Sequence, residues 1–300
     1  MEKRRCQAIQ HGRWECVERC YNKRVKKYEE NFKKIVGGFY QKNKRDFPWR
    51  STKNAYHILI SEVMLQQTQA SRVLQKYPLF LKAFPTLELL STASNTAVLS
   101  VWQGMGYNRR ALYLKQITQE IVKRYKGKIP SDPLLLKQLP GIGHATACSI
   151  VVFAYNLPYP FIETNIRRVF IHHFFKNKTQ VKDSDMLPLV TQTMDEKNPR
   201  EWFYALMDYG ANLVGKVENP NRQSAHYHQQ SKFEGSNRQL RGKILKLFLS
   251  HTTLSIEDIK RMLDTKEQTL QTLLTDLQKE GFIQKRKRFF FLKHENAQAV

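Results

Sequence analysis

Two glycines, Gly141 and Gly143, and two acids, Glu62 and Glu163, are the residues of this chain whose types and spacing suit chemistry on a phosphate-bearing substrate. Asp132 and Pro133 read as N-cap and first residue of a short helix running to Gln138 and stopped by Pro140, with a second helix starting near His144. Gly141 and Gly143 can take positive φ and carry no side chain. Successive backbone N–H groups from Gly141 through Gly143, His144, Ala145 and Thr146 can therefore approach a phosphate at the new helix's N-terminus. On a helix from Tyr56, Glu62 falls one turn from Ile58, Leu59 and Gln66, beside an apolar stripe. A carboxyl group kept protonated at neutral pH by burial is what a general acid requires. Glu163 stands just before a helix that begins near Thr164 or Asn165. The structural alternatives are a Glu62 paired with Lys or Arg, and a Glu163 serving only as a charge at a helix start.

Composition narrows the partners. Fifty Lys and Arg against 26 Asp and Glu give a formal net charge of +24, and neutralising phosphates with release of their counterions is the ready use of such an excess. No long amphipathic helix with a bulky aromatic face favours a membrane surface instead. The start has no secretory pattern, and no run of about 18 apolar residues suits a span; the expected location is cytoplasmic, associated with the nucleoid in a bacterium. Four cysteines make no disulfide framework. Cys6, His11, Cys16 and Cys20 fit no familiar zinc spacing, and no metal site is expected.

The acids and the glycine turn must be held by helices. Residues 1–27 read as a basic, flexible leader. Three- and four-residue apolar spacing then predicts helices over 32–40, 56–77, 87–101, 110–125, 134–139, 145–154, 166–174, 186–194 and 202–214, an all-α domain spanning 28–214. Residues 215–236 read as a linker. Helices over 238–251, 255–263 and 266–280, capped at Ser255 and Thr265 and ended by Gly281, precede two short apolar segments flanking Gln284-Lys-Arg-Lys-Arg288. Three helices and a basic hairpin predict a winged-helix-like α+β module over 237–293, with a tail at 294–300; a helical cap with an extended tail is the alternative.

Phe47-Pro-Trp-Arg50, Ser61-Glu-Val-Met-Leu-Gln-Gln-Thr68, Gly104-Met-Gly-Tyr107, the Pro140–Thr146 turn and Met207-Asp-Tyr-Gly-Ala211 occur in this order. On these motifs the chain, from about Phe32 to Val214, resembles the helix-hairpin-helix DNA glycosylases related to endonuclease III, and among them the A/G-specific adenine glycosylases. The resemblance implies two helical lobes with a cleft between them, the domain's start and end sharing one lobe. It implies that Glu62 protonates the purine, that a carboxylate at Glu163 stabilises a cation-like sugar and orients water, and that Asn165 lies near the sugar. Tyr107 and Gln67 match residues that wedge into the duplex as the base is flipped, and Gln66 accompanies them. Arg109 and Arg110 follow closely enough to hold phosphates. Trp49 and Arg50 match residues lining the base pocket, although Arg50 also suits a plain phosphate contact and Tyr107 a core position.

Ala145 occupies the position at which lyases of the superfamily carry a Schiff-base lysine, which implies base removal without strand cleavage. The expected function is a monofunctional glycosylase of base excision repair, removing adenine opposite 8-oxoguanine or guanine from double-stranded DNA as a monomer. No redox or organic cofactor is implied; a monovalent cation on the hairpin carbonyls is.

Three departures accompany the resemblance. The family's Asp is Glu163 here, one methylene longer. Tyr204 stands where a Gln or Glu is common. The stretch from Val214 to Gln230 holds none of the four cysteines that often bind an iron-sulfur cluster, which points to a cluster-free member. These departures keep two other readings open: a uracil or thymine glycosylase acting on G mismatches, and a DNA-binding protein of the same fold without catalysis.

Overall fold

The computed structural model describes residues 27–230 and 232–293. The leader with Cys6, His11, Cys16 and Cys20, and the tail at 294–300, lie outside the described residues. The chain folds as two compact units, each assembled from two separate stretches.

The first unit takes the described residues up to Asp46 together with Asn156–Tyr227. It contains α1 (27–43), α9 (Thr164–Phe174), α10 (Asp183–Thr193) and α11 (Pro199–Asn212). Phe32 on α1 is fully buried and meets Phe170 and Trp202 edge-on, at 5.4 and 6.1 Å between ring centres. The expected linker begins inside this unit. Pro220–Gln223 form a 3₁₀ turn in which Asn221 is buried and donates from Nδ2 to the Thr164 carbonyl at 3.1 Å. The Val181 backbone N–H donates to the Gln223 carbonyl, and its carbonyl accepts from Ala225, each at 2.9 Å. A segment whose buried amide and backbone groups are claimed in this way is part of the fold.

The second unit joins Phe47–Tyr155 to the chain from His228 onward. After a 3₁₀ turn at Pro48–Arg50 come α2 (Ala55–Leu65), α3 (Ala70–Ala83), α4 (Leu87–Thr92), α5 (Asn95–Trp102), α6 (Arg109–Tyr125), α7 (Pro133–Leu136) and α8 (His144–Tyr155). Then follow α12 (Asn237–Ser250), α13 (Ile256–Leu263), α14 (Glu267–Lys279), β1 (Ile283–Arg286) and β2 (Phe289–Leu292). The two strands pair antiparallel, Ile283 facing Leu292, with Lys287 in the left-handed region at the tip. Three helices and this basic hairpin form the expected α+β module. It is not a separate body beyond a linker, because one core runs from Leu59, Phe80, Trp102 and Ile150 into Ile244, Phe248, Leu274 and Phe282. Buried Asn95 accepts from Lys115 Nζ at 3.1 Å and donates to the Lys293 carbonyl at 3.3 Å, while Arg109 and Arg241 both pair with Glu280.

Two predicted helices are broken in the structure. The 87–101 segment divides where Ser94 accepts from the Ala97 N–H and caps α5, and the 56–77 segment divides at Gln66–Gln69 for a reason tied to the site. Ser255 caps α13 in a reciprocal box with Asp258, as its type suggests. Thr265 does not cap α14; its hydroxyl donates back to the Leu263 carbonyl and Lys266 takes the cap position.

Candidate functional site

In the second unit Asp132 Oδ1 accepts from the Leu134 N–H at 2.8 Å and starts α7. Gly141 takes φ +73°, and a Cβ there would lie 2.4 Å from the Tyr113 ring, so both conformation and space require glycine. Gly143, expected to share the left-handed conformation, does not adopt it. Gly141, Gly143 and His144 are exposed while Ile142 is buried, which anchors the turn and leaves its glycines open to a phosphate. Ala145 and Thr146, half-buried, open α8. Gln66 Nε2 donates to the Gly141 carbonyl and to Thr146 Oγ1, each at 3.2 Å. The residue expected at the substrate is thus a brace joining the end of α2 to the hairpin.

Glu62 is half-buried on α2, facing α8. Its Oε2 accepts a 2.6 Å hydrogen bond from Ser149 Oγ, one turn into α8 beyond Ala145. Nothing in the sequence signalled Ser149, because the pairing spans 87 positions and depends on how α2 and α8 pack.

Arg110 was expected near phosphates and is instead buried beneath the end of α2. Nη1 donates to the carbonyls of Val63, Met64 and Gln66 at 2.9, 2.7 and 2.6 Å, and Nη2 reaches Thr68 Oγ1 and the Gly106 carbonyl. These carbonyls lie at the helix C-terminus, where intrahelical partners run out. Burial pulls the guanidinium down to about 10, still above neutrality. The side chain that ends α2 thereby sets the loop carrying Gln67, which is exposed at φ +52°.

Tyr107 shares both properties with Gln67: it sits at φ +46° after positive-φ Gly104 and Gly106, and it is 40% exposed. A non-glycine residue in this region is uncommon. Its hydroxyl accepts from Gln230 Nε2 and, at 3.5 Å, from Arg238 Nη1. Arg109 is half-exposed and paired with Glu280 at 3.3 Å. Trp49, expected at a base pocket, is 3% exposed, stacked on Phe47 at 4.7 Å and edge-on to Tyr77. Arg50 lies over the Phe47 ring at 5.2 Å.

In the first unit Glu163 is the N-cap of α9. Oε1 accepts from the Asn165 and Ile166 N–H groups at 2.8 and 2.9 Å, and Oε2 accepts from Asn165 Nδ2 at 3.2 Å. Burial raises its carboxyl above the usual range, against the opposing pull of those two N–H groups and of Arg167 and Arg168. Arg168 Nη1 donates to Asn165 Oδ1 at 2.8 Å and to the Gly210 carbonyl at 2.9 Å, so the Asn165 amide is fixed at both ends. Asp208 is 2% exposed and takes the Arg45 backbone N–H and Nε on its two oxygens at 3.0 and 2.6 Å. Arg45 reaches Asp208 163 positions along the chain and Arg168 reaches Gly210 42 positions along, pairings that no local spacing signals. Tyr204 is 3% exposed on α11. Cys148, in the other unit, is the cysteine among the described residues. The Val214–Gln230 stretch therefore has no thiolates to suit a cluster, and Asn221 and the Val181 backbone hold it instead.

Residues 60–187, which include Glu62, the hairpin and Glu163, match the family model described as HhH-GPD superfamily base excision DNA repair protein. An adenine DNA glycosylase of Mycobacterium tuberculosis (strain H37Rv) is 30% identical over 269 residues, covering 79% of this chain and 86% of that protein. The chain belongs to the adenine DNA glycosylase branch of the HhH-GPD superfamily. A second relative in this branch, from Buchnera aphidicola subsp. Acyrthosiphon pisum, is 31% identical over 191 residues. That match covers 62% of this chain and 55% of the relative, so the chain spans about half its length. The solved structure of a thermostable thymine-DNA glycosylase shares the fold, with TM-score 0.60, 24% identity, and coverage of 65% of this chain and 92% of that one.

Proposed function

We propose that this chain is a monofunctional DNA glycosylase that hydrolyses the N-glycosidic bond of adenine mispaired with 8-oxoguanine or guanine in double-stranded DNA. The observation that carries the reading is Glu62: a half-buried carboxyl group fixed by Ser149 on the helix that the hairpin opens. Its membership of the adenine glycosylase branch supports adenine as the base.

Glu62 gives its proton to the purine ring, the bond between C1′ and the base breaks, and the electron pair leaves with the base. Glu163 supplies negative charge to the cation-like sugar and orients the water that attacks C1′. Asn165, held by Glu163 and Arg168, keeps that carboxylate in one geometry. The Gly141–Thr146 turn grips a phosphate, exposed Gln67 and Tyr107 fill the gap left by the flipped base, and the +24 charge with the basic tip of the module draws the duplex in. With Ala145 in place of an amine, no Schiff base forms and the abasic strand stays intact. The reading takes no iron-sulfur cluster, a monovalent cation on the hairpin carbonyls and a monomer. No helix of the described residues is long and apolar enough to cross a membrane.

The test is single-turnover base release from duplexes carrying A opposite 8-oxoguanine, A opposite G, and T or U opposite G, with alkali to reveal abasic sites. Release of adenine, with breaks only after alkali, supports the reading. Release of T or U alone moves the specificity, borohydride trapping of the wild type refutes monofunctional action, and binding without any release leaves a DNA-binding protein.

A further inference from the structure

We infer that Ser149 is the positioning residue that holds Glu62 in one place through both of its protonation states. The inference rests on the glycosylase reading above and assigns a role to a side chain outside the motifs that carry it. Ser149 Oγ is within hydrogen-bond distance of two acceptors: Glu62 Oε2 at 2.6 Å and the Thr146 carbonyl at 3.1 Å. Ser149 is 3% exposed, so water does not substitute freely for either partner.

A hydroxyl has one proton and two lone pairs. While Glu62 is ionised, Ser149 donates to Oε2. When Oε2 is protonated, its O–H donates to Ser149 Oγ, and the serine proton turns to the Thr146 carbonyl, one turn back on the same helix. Every proton then has an acceptor in each state, and neither form of the acid leaves a buried polar atom without a partner. To deliver the proton, the Oε2 hydroxyl turns from Ser149 Oγ to the base, and as its O–H bond breaks the Ser149 hydroxyl rotates from the Thr146 carbonyl back onto Oε2 and meets the new charge with a charge-assisted hydrogen bond. The heavy atoms stay in place, so the acid does not move as it works. Thr146 connects this pair to the hairpin, because its own hydroxyl accepts from Gln66.

The test compares wild type with Ser149→Ala, which removes the hydroxyl, Ser149→Cys, which keeps a similar volume but donates weakly, and Ser149→Thr, which restores the hydroxyl. Single-turnover release is measured at saturating enzyme on the best substrate of the wild type, beside the Kd for the same duplex with a 2′-fluorinated, cleavage-resistant target nucleotide. The expected result is release about tenfold or more slower in Ala and Cys, on the scale that misplacement of a catalytic group produces, with Kd within about twofold of wild type and recovery in Thr. Ala and Cys variants that release base at the wild-type rate, or that lose rate only in proportion to lost affinity and thermal stability, overturn the inference. A wild type that releases no base overturns the glycosylase reading itself, an outcome distinct from either.

Discussion

Arg110 Nη1 lies 2.6 Å from the carbonyl oxygen of Gln66, and this contact ends helix α2. The same guanidinium collects the Val63 and Met64 carbonyls. Nη2 meanwhile reaches Thr68 Oγ1 and the Gly106 carbonyl, and lysine cannot serve both groups of acceptors, because its three donors diverge from one atom while arginine's are spread over a planar fork. Arg110→Lys and Arg110→Met are expected to lower stability by about 2–4 kcal/mol, because buried acceptors lose a charged donor. Urea unfolding checks this; midpoints unchanged from wild type would rule out the capping role.

At Glu163 the helix cap and the proposed catalytic charge are separable. Glu163→Gln keeps an oxygen to accept from the Asn165 and Ile166 N–H groups, so the fold is retained, whereas Glu163→Ala loses the cap at about 1 kcal/mol. Base release is expected to fall about a hundredfold or more in both. Glu163→Asp, which keeps the charge on a side chain one methylene shorter, is expected to remain active. Full activity in Glu163→Gln would reduce the residue to its cap.

The raised carboxyl of Glu163 also fixes a pH dependence. A folded-state value above the unfolded one stabilises the protein below the ordinary glutamate range, and this contribution is lost as pH rises through the folded value. The stability of wild type relative to Glu163→Gln is therefore expected to decline as pH is raised from about 4 toward neutrality. Denaturation midpoints at several pH values decide the point, and a difference that grows with pH would contradict it.

His173 carries the opposite sign. Burial, with His172 next in effect, lowers its imidazole to about 4; its Nε2 lies 3.0 Å from the Tyr209 hydroxyl and its ring meets Phe32. Stability from the neutral ring is present above the usual histidine value near 6.5 and is lost as pH falls toward 4. Titration of the ring by NMR should give a midpoint well below 6, and His173→Gln should flatten the acid limb of the melting curve.

Gly210 faces the backbone of Asn165, where an added Cβ would lie 2.4 Å from the carbonyl oxygen. Backbone cannot give way as a flexible side chain can, so Gly210→Ala must push α9 from α11. A loss of about 1–3 kcal/mol is expected, with slower base release because Asn165 and Glu163 move together. An alanine variant with wild-type melting and rate would show that the approach is looser than this.

Sequence alone determined what local rules control. Asp132 and Ser255 capped helices, apolar spacing placed most helices, although α7 ended at Leu136, short of the expected stop at Pro140, and the glycine turn with Glu62 and Glu163 stood out because phosphate binding and acid chemistry restrict residue type at short spacing. Tertiary structure decided what depends on partners far along the chain. Gln66 turned from substrate toward the hairpin, Arg110 from phosphates to the end of α2, and Trp49 and Tyr204 into the core. Ser149, Arg45 and Arg168 gained roles that no spacing announces. The supposed linker was absorbed by Asn221, and the C-terminal module by a core shared with α2–α8. A buried hydrogen bond or apolar contact is worth most where water is excluded, and which groups lose their water is settled only when distant segments pack.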